Sequence, residues 1–225
     1  PIRNPGPWQF VAFRCGREVR LCPRNKPDAF LSEEAMTAIA MQRSSQHQPP
    51  QIDWQRVVHT VLVSRALDEL EETRLVPARK VLYQFTARGH DVSQVMLGQM
   101  LTGVRDGAGV YYRSRPLMLS VGLALDDALA STMMRSGSVS EGRDIGVVFN
   151  LPRKEGVAVL PACGGVGAQY TPAIGWAQSI QYRSRVLRDS SWEGSVAVAH
   201  GGEASAATNG FWSALTIATT QRLPM

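Results

Sequence analysis

The stretch Gly194-Ser-Val-Ala-Val-Ala-His200 is a short apolar run that stops abruptly at Gly201-Gly-Glu-Ala-Ser205. A run of this length, apolar on both alternating faces, fits a strand covered on both sides, as in a parallel sheet. Helical character resumes at about Asn209 with Phe211, Trp212, Leu215 and Ile217. Strand, glycine turn and helix in that order form the repeating unit of an α/β fold, in which helices bury both faces of the sheet. Leu223-Pro-Met225 reads as the opening of a further strand, so the domain is expected to be truncated at its C-terminal end, the chain being a fragment of a longer or fused polypeptide.

Upstream, helical spacing is strongest after Asp53, which is placed to cap a helix start. Val57, Val58, Val61, Leu62, Ala66, Leu67 and Leu70 recur at helical intervals, while Arg65, Asp68, Glu69, Glu71 and Glu72 read as a solvated face. The helix should end before Pro77. Shorter helices are expected over Asp91 to Gly103, Leu125 to Met134 and Gln169 to Arg183, where Ala173, Gly175 and Ala177 suit close packing. Residues 1–53 differ, because Pro1, Pro5, Pro7, Pro23, Pro27, Pro49 and Pro50 interrupt any long element. Only Leu31 to Met41, with Ser32 as cap, looks helical there. The expectation is an N-terminal arm over 1–53 and one α/β domain over 54–225, with a mostly parallel sheet flanked by helices.

Composition excludes several classes. Hydrophobic residues are 44% of the chain, enough to bury a core, yet no stretch approaches the roughly 20 apolar residues of a membrane helix. The start, Pro1 to Pro7, lacks the basic-then-apolar order of a signal peptide, so a cytoplasmic location is expected. A net charge of +5 raises nucleic acid as a partner, but the arginines are scattered rather than blocked with aromatics, which argues against it. Cys15, Cys22 and Cys163 form no C-x-x-C pair, so neither a disulfide framework nor a zinc site is expected.

Chemistry gathers at three places. Gly201-Gly202 lets backbone approach an anion ahead of a helix, and Glu203 puts a carboxylate at the tip. A carboxylate beside a diphosphate needs a hard cation between them, and magnesium fits; taken alone, so unspecific a turn reads more readily as a plain one with Glu203 facing water. Gly109-Val-Tyr-Tyr-Arg-Ser-Arg115 offers two arginines that could clamp phosphate, or a packed surface strand. Gly164-Gly-Val-Gly-Ala168 could be a ligand loop or a simple connection. His47, His59, His90 and His200 have no cysteine or carboxylate at nucleophile or ligand spacing and read as structural.

In order along the chain, Tyr83-Gln-Phe-Thr-Ala-Arg-Gly-His-Asp-Val92, Val110-Tyr-Tyr-Arg113, Gly164-Gly-Val-Gly-Ala-Gln169, the strand and turn Ser195 to Ser205, and Phe211 to Leu223-Pro224 carry a likeness. Together they resemble the alpha subunit of thiamine diphosphate-dependent 2-oxo acid dehydrogenases, the pyruvate and branched-chain family, over about residues 54–225. The resemblance implies a thiamine diphosphate-binding fold and oxidative decarboxylation of a 2-oxo acid, with thiamine diphosphate and magnesium as cofactors. It implies a heterotetramer with a beta-type subunit, and transfer of the acyl unit to a lipoyl-bearing acyltransferase component. Tyr112 and Arg113 would meet the diphosphate, and Gly164 and Val166 the aminopyrimidine ring. Gly202, Glu203, Ala204 and Ser205 would cradle the diphosphate, with Glu203 on the metal and Phe85 near the 2-oxo acid. The activating base is expected from the beta partner, and the family's second metal-binding segment would fall past Met225. Glu203 stands where most relatives have Asp and branched-chain members often have Glu, and Ala204 replaces a glycine. Two other readings stand beside this one: a non-catalytic alpha-like scaffold, and an unrelated α/β module whose three motifs lie far apart in space.

Overall fold

The computed structural model describes residues 10–15, 18–23, 51–143, 151 and 156–225, in two units, Pro1–Pro49 and Pro50–Met225. In the first unit β1 (Phe10–Cys15) and β2 (Glu18–Pro23) pair antiparallel, from Phe10↔Pro23 to Cys15↔Glu18. The sequence reading assigned no strand here. Pro23 ends β2 rather than interrupting it, a position proline tolerates in a strand. The helix expected over 31–41 lies outside the described residues.

The second unit opens with α1 (Trp54–Leu70), capped where Asp53 Oδ1 accepts from the Arg56 amide at 3.0 Å. A π-helical turn, Glu71–Leu75, finishes it ahead of Pro77. Then follow α2 (Asp91–Met100), β3 (Gly107–Gly109), α3 (Arg115–Ser120), α4 (Leu125–Thr132), β4 (Ala158–Val159), α5 (Tyr170–Gln181), β5 (Ala197–Ala199) and α6 (Asn209–Gln221). The strands form one small parallel sheet in the order β4-β3-β5, with Ala108 beside both Val159 and Val198. Ala197 N donates to Pro224 O at 2.8 Å, so the chain beyond α6 returns to the free edge of β5.

Alternation along the strands divides the core in two. Ala108, Val159 and Val198 face a cluster with Leu67 of α1, Leu97 of α2, Leu117 and Met118 of α3 and Ala128 of α4. Ala197 and Ala199 face the other way, onto Tyr170, Ile174 and Ala177 of α5 and Ala214 of α6. Helices therefore cover both faces, the mixed α/β architecture expected of a parallel sheet. Ala173 and Ala177 are buried as small packing residues, but Gly175 faces outward with nothing within 4 Å of where a Cβ would stand.

The face of α1 was misread. Val57, Thr60, Val61, Ser64, Leu67 and Asp68 point inward, whereas Val58 and Leu62 are 56% and 60% exposed. Neighbouring apolar residues such as Val57 and Val58 sit about 100° apart on a helix, so periodicity alone did not choose between them. Asp68 and Glu71, taken for solvated residues, are 1% and 2% exposed. They are held by Arg115, whose Nη1 donates to Glu71 Oε1 at 2.6 Å and whose Nη2 donates to Asp68 Oδ1. Nearby, Arg65 Nε donates to Asp91 at 2.6 Å and ties α1 to α2.

Candidate functional site

In a parallel sheet all strands end on the same side, and the segments leaving those ends converge there. Here β3 runs into Val110–Ser114, β4 into the loop that reaches Gln169, and β5 into His200–Ser205. Short bonds lock the three exits together. His200 N donates to Gly109 O at 2.8 Å, Gln169 Nε2 donates to His200 O at 2.7 Å, and Tyr170 Oη meets Ser205 Oγ at 2.6 Å. Gly167 adopts φ +83°, and a side chain there would strike Thr208, the cap of α6. The middle loop is thereby seated against the third exit.

Between the exits lies a small cleft of about 40 Å³, well below the roughly 300–1,000 Å³ of a complete small-molecule site. Tyr112, Arg113, Val166, Gly202, Glu203, Ala204 and Ser205 all line it. Gly164 does not; its neighbours Cys163 and Gly165 take the wall instead. Phe85 is also outside the lining, but its ring packs 4.8 Å from that of Tyr112. Arg113 lies over both rings, 5.8 Å from Phe85 and 5.3 Å from Tyr112, and its Nη1 donates to Thr86 O at 3.0 Å. Arg115, read as a second phosphate clamp, is committed to Asp68 and Glu71 in the interior. A guanidinium one alternation away from Arg113 lands on the buried side of the turn.

Reading the motifs missed Tyr111 and Cys163 as lining residues. Tyr111 is buried, its amide accepted by Ser114 Oγ at 3.1 Å and its hydroxyl 3.4 Å from His90 Nδ1. Burial raises its phenol above the ordinary value, with Arg113 opposing. Adjacency to the quoted motifs was the only signal for either residue. Glu203 is exposed at the mouth and makes no ion pair among the described residues. Nor do those residues contain a group of three His, Cys, Asp or Glu side chains able to hold a metal. Any cation held here would rest on Glu203 with backbone, water and ligand oxygens, a set that suits magnesium.

His200 stands just behind the turn. Its Nδ1 is buried without a partner, and burial, then His90, holds the imidazole down to about 4 from 6.5. Between pH 6.5 and 4 the unfolded chain therefore takes up a proton that the folded chain refuses, so stability falls as pH drops through that window. His200→Gln should lessen the loss between pH 7 and 5 by on the order of 1–2 kcal/mol. Urea unfolding at the two pH values measures it, and equal losses in both proteins would refute the assignment.

No protein-family model matches the chain.

Proposed function

We propose that this chain is the alpha-type part of a 2-oxo acid dehydrogenase's decarboxylating component, holding thiamine diphosphate and magnesium together with a beta-type subunit. The observation that carries the reading is the meeting of three separate motifs: Tyr112-Arg113, Val166, and Gly202 to Ser205 line one cleft at the carboxyl ends of three parallel strands.

The residues fit the cofactor in kind. Among the described residues the Glu203 and Ala204 amides and Arg113 Nε and Nη2 make no hydrogen bond, which leaves them for phosphate oxygens. Glu203 would bind the magnesium that separates its carboxylate from the diphosphate. Val166 is 57% exposed and Phe85 43%, so both leave apolar surface for a second chain or a substrate side chain to cover. Bound here, thiamine diphosphate would supply the carbanion chemistry for decarboxylating a 2-oxo acid. This chain's residues would anchor the diphosphate, orient the ring and keep Arg113 aimed at the anion. The lipoyl-bearing acyltransferase component would receive the acyl unit, and branched-chain 2-oxo acids are the favoured substrates on the strength of Glu203.

Saturating thiamine diphosphate with magnesium should stabilise the native assembly by about 2.7 kcal/mol at a hundredfold excess over Kd. Glu203→Ala should lose most of that gain with little change in ligand-free melting. An unshifted wild-type melting curve would sink the proposal. A second reading, a scaffold that has lost the cofactor, draws support from Ala204, which lines the cleft where the resemblance expects glycine. It predicts full activity of the assembled complex with Glu203→Ala.

A further inference from the structure

We infer that Thr86 is a positioning residue for the anion-binding arginine, fixed from behind by the buried Asp68–Arg115 pair; the inference rests on the reading just proposed. The segment leading to Thr86 has little holding it from outside. Leu82, Tyr83 and Phe85 are 60%, 50% and 43% exposed, and residues 81–87 form no helix or strand. Val81, 1% exposed, holds its start, and its attachment at the site end comes at Thr86 and Ala87. Thr86 Oγ1 donates to Asp68 Oδ2 at 2.8 Å, and the Ala87 amide donates to the same oxygen at 3.3 Å. The other oxygen of Asp68 accepts from Arg115 Nη2. Ala87, Asp68 and Arg115 are 2%, 1% and 5% exposed, so this anchor belongs to the interior.

Thr86 faces the site with its other polar group. Its carbonyl accepts from Arg113 Nη1 at 3.0 Å. Two residues along from Arg113, Arg115 closes the circuit: Thr86 carbonyl to Arg113, backbone to Arg115, Arg115 to Asp68, Asp68 to the Thr86 hydroxyl. A guanidinium held by one edge presents its other edge in a fixed direction, which bidentate anion contact requires. The same circuit sets Phe85 against Tyr112, so the anion end and the aromatic wall are placed by one anchor. Without the hydroxyl, Thr86 keeps only the longer Ala87 bond, and the carbonyl that holds Arg113 is free to shift.

The test is calorimetric titration of the native assembly with magnesium pyrophosphate, comparing wild type, Thr86→Val and Thr86→Ser, with ligand-free melting of each. Thr86→Val should bind about fivefold to tenfold more weakly, the size of one hydrogen bond. Its ligand-free melting should fall by a few degrees, because buried Asp68 loses one partner, while the assembly stays folded at the titration temperature. Thr86→Ser should bind and melt as wild type. Wild-type affinity in Thr86→Val overturns the inference, as does a Thr86→Ser as weak as Thr86→Val. Should Thr86→Val fail to fold, Thr86→Ala takes its place, and failure of both shows a purely structural hydroxyl and overturns the inference. A wild type that binds neither pyrophosphate nor thiamine diphosphate defeats the functional proposal, and this inference with it. Normal wild-type binding with an unaffected Thr86→Val defeats the inference alone.

Discussion

Arg115→Met is expected to lower the unfolding free energy by about 3–5 kcal/mol, because it strands two carboxylates in the core. Asp68 and Glu71 are 1% and 2% exposed, and Arg115 supplies both with a charged partner. Burial alone would pull the guanidinium down, but the two carboxylates outweigh it and hold it above its ordinary value. With the cation gone, both carboxylates lie in the interior without a charged partner. The triple change Arg115→Met, Asp68→Asn, Glu71→Gln should recover a large part of the loss at pH 7, since no uncompensated charge remains. Urea unfolding at pH 7 checks this. A loss below about 1 kcal/mol for Arg115→Met would show the trio to be hydrated rather than dry.

Gly201→Ala should damage the fold and the site together. A Cβ at this position would overlap the Tyr170 hydroxyl and Ser205 Oγ, which already meet each other at 2.6 Å. Ser205 Oγ also donates to Gly202 O, and the Ser205 amide donates to the same carbonyl at 2.9 Å. One added methyl group thus presses on the bonds that shape the Gly202–Ser205 turn. Overpacking of this kind costs about 1–3 kcal/mol, and under the proposed function the response to thiamine diphosphate and magnesium should vanish. Tyr170→Phe removes the nearer of the two oxygens that the methyl group would strike, leaving Ser205 Oγ room to turn aside. Combined with Gly201→Ala, it should restore part of both stability and binding, a coupling that a double-mutant cycle reads directly. Additive losses would mean that the turn yields elsewhere.

Local rules carried a good part of the architecture. Asp53 caps α1, α6 begins at Asn209 as its apolar spacing implies, and the apolar run at 194–200 contains a parallel strand, though one at the sheet edge with only Ala197 buried. Each depends on a neighbouring side chain or a periodicity of a few residues. The arm was less legible, since β1 and β2 lie between prolines that appeared to forbid regular structure. At the site, Arg113 and Arg115 share one local context, a tyrosine-rich turn after a glycine strand. One lines the cleft and the other is interior. The difference comes from Asp68 and Glu71, more than forty residues earlier, on a helix whose inward face the spacing did not select.

What the sequence determined by itself was the order of strand, glycine turn and helix, and with it an α/β core of helices about a parallel sheet. Backbone preferences and burial patterns act over neighbours, so they can be read along the chain. Tertiary structure alone decided which charges go inside, that Thr86 bridges Asp68 and Arg113, and that three distant turns share one cleft. Those outcomes depend on contacts between residues far apart in sequence, where the loss of water around a buried ion must be matched by a partner that no local pattern specifies.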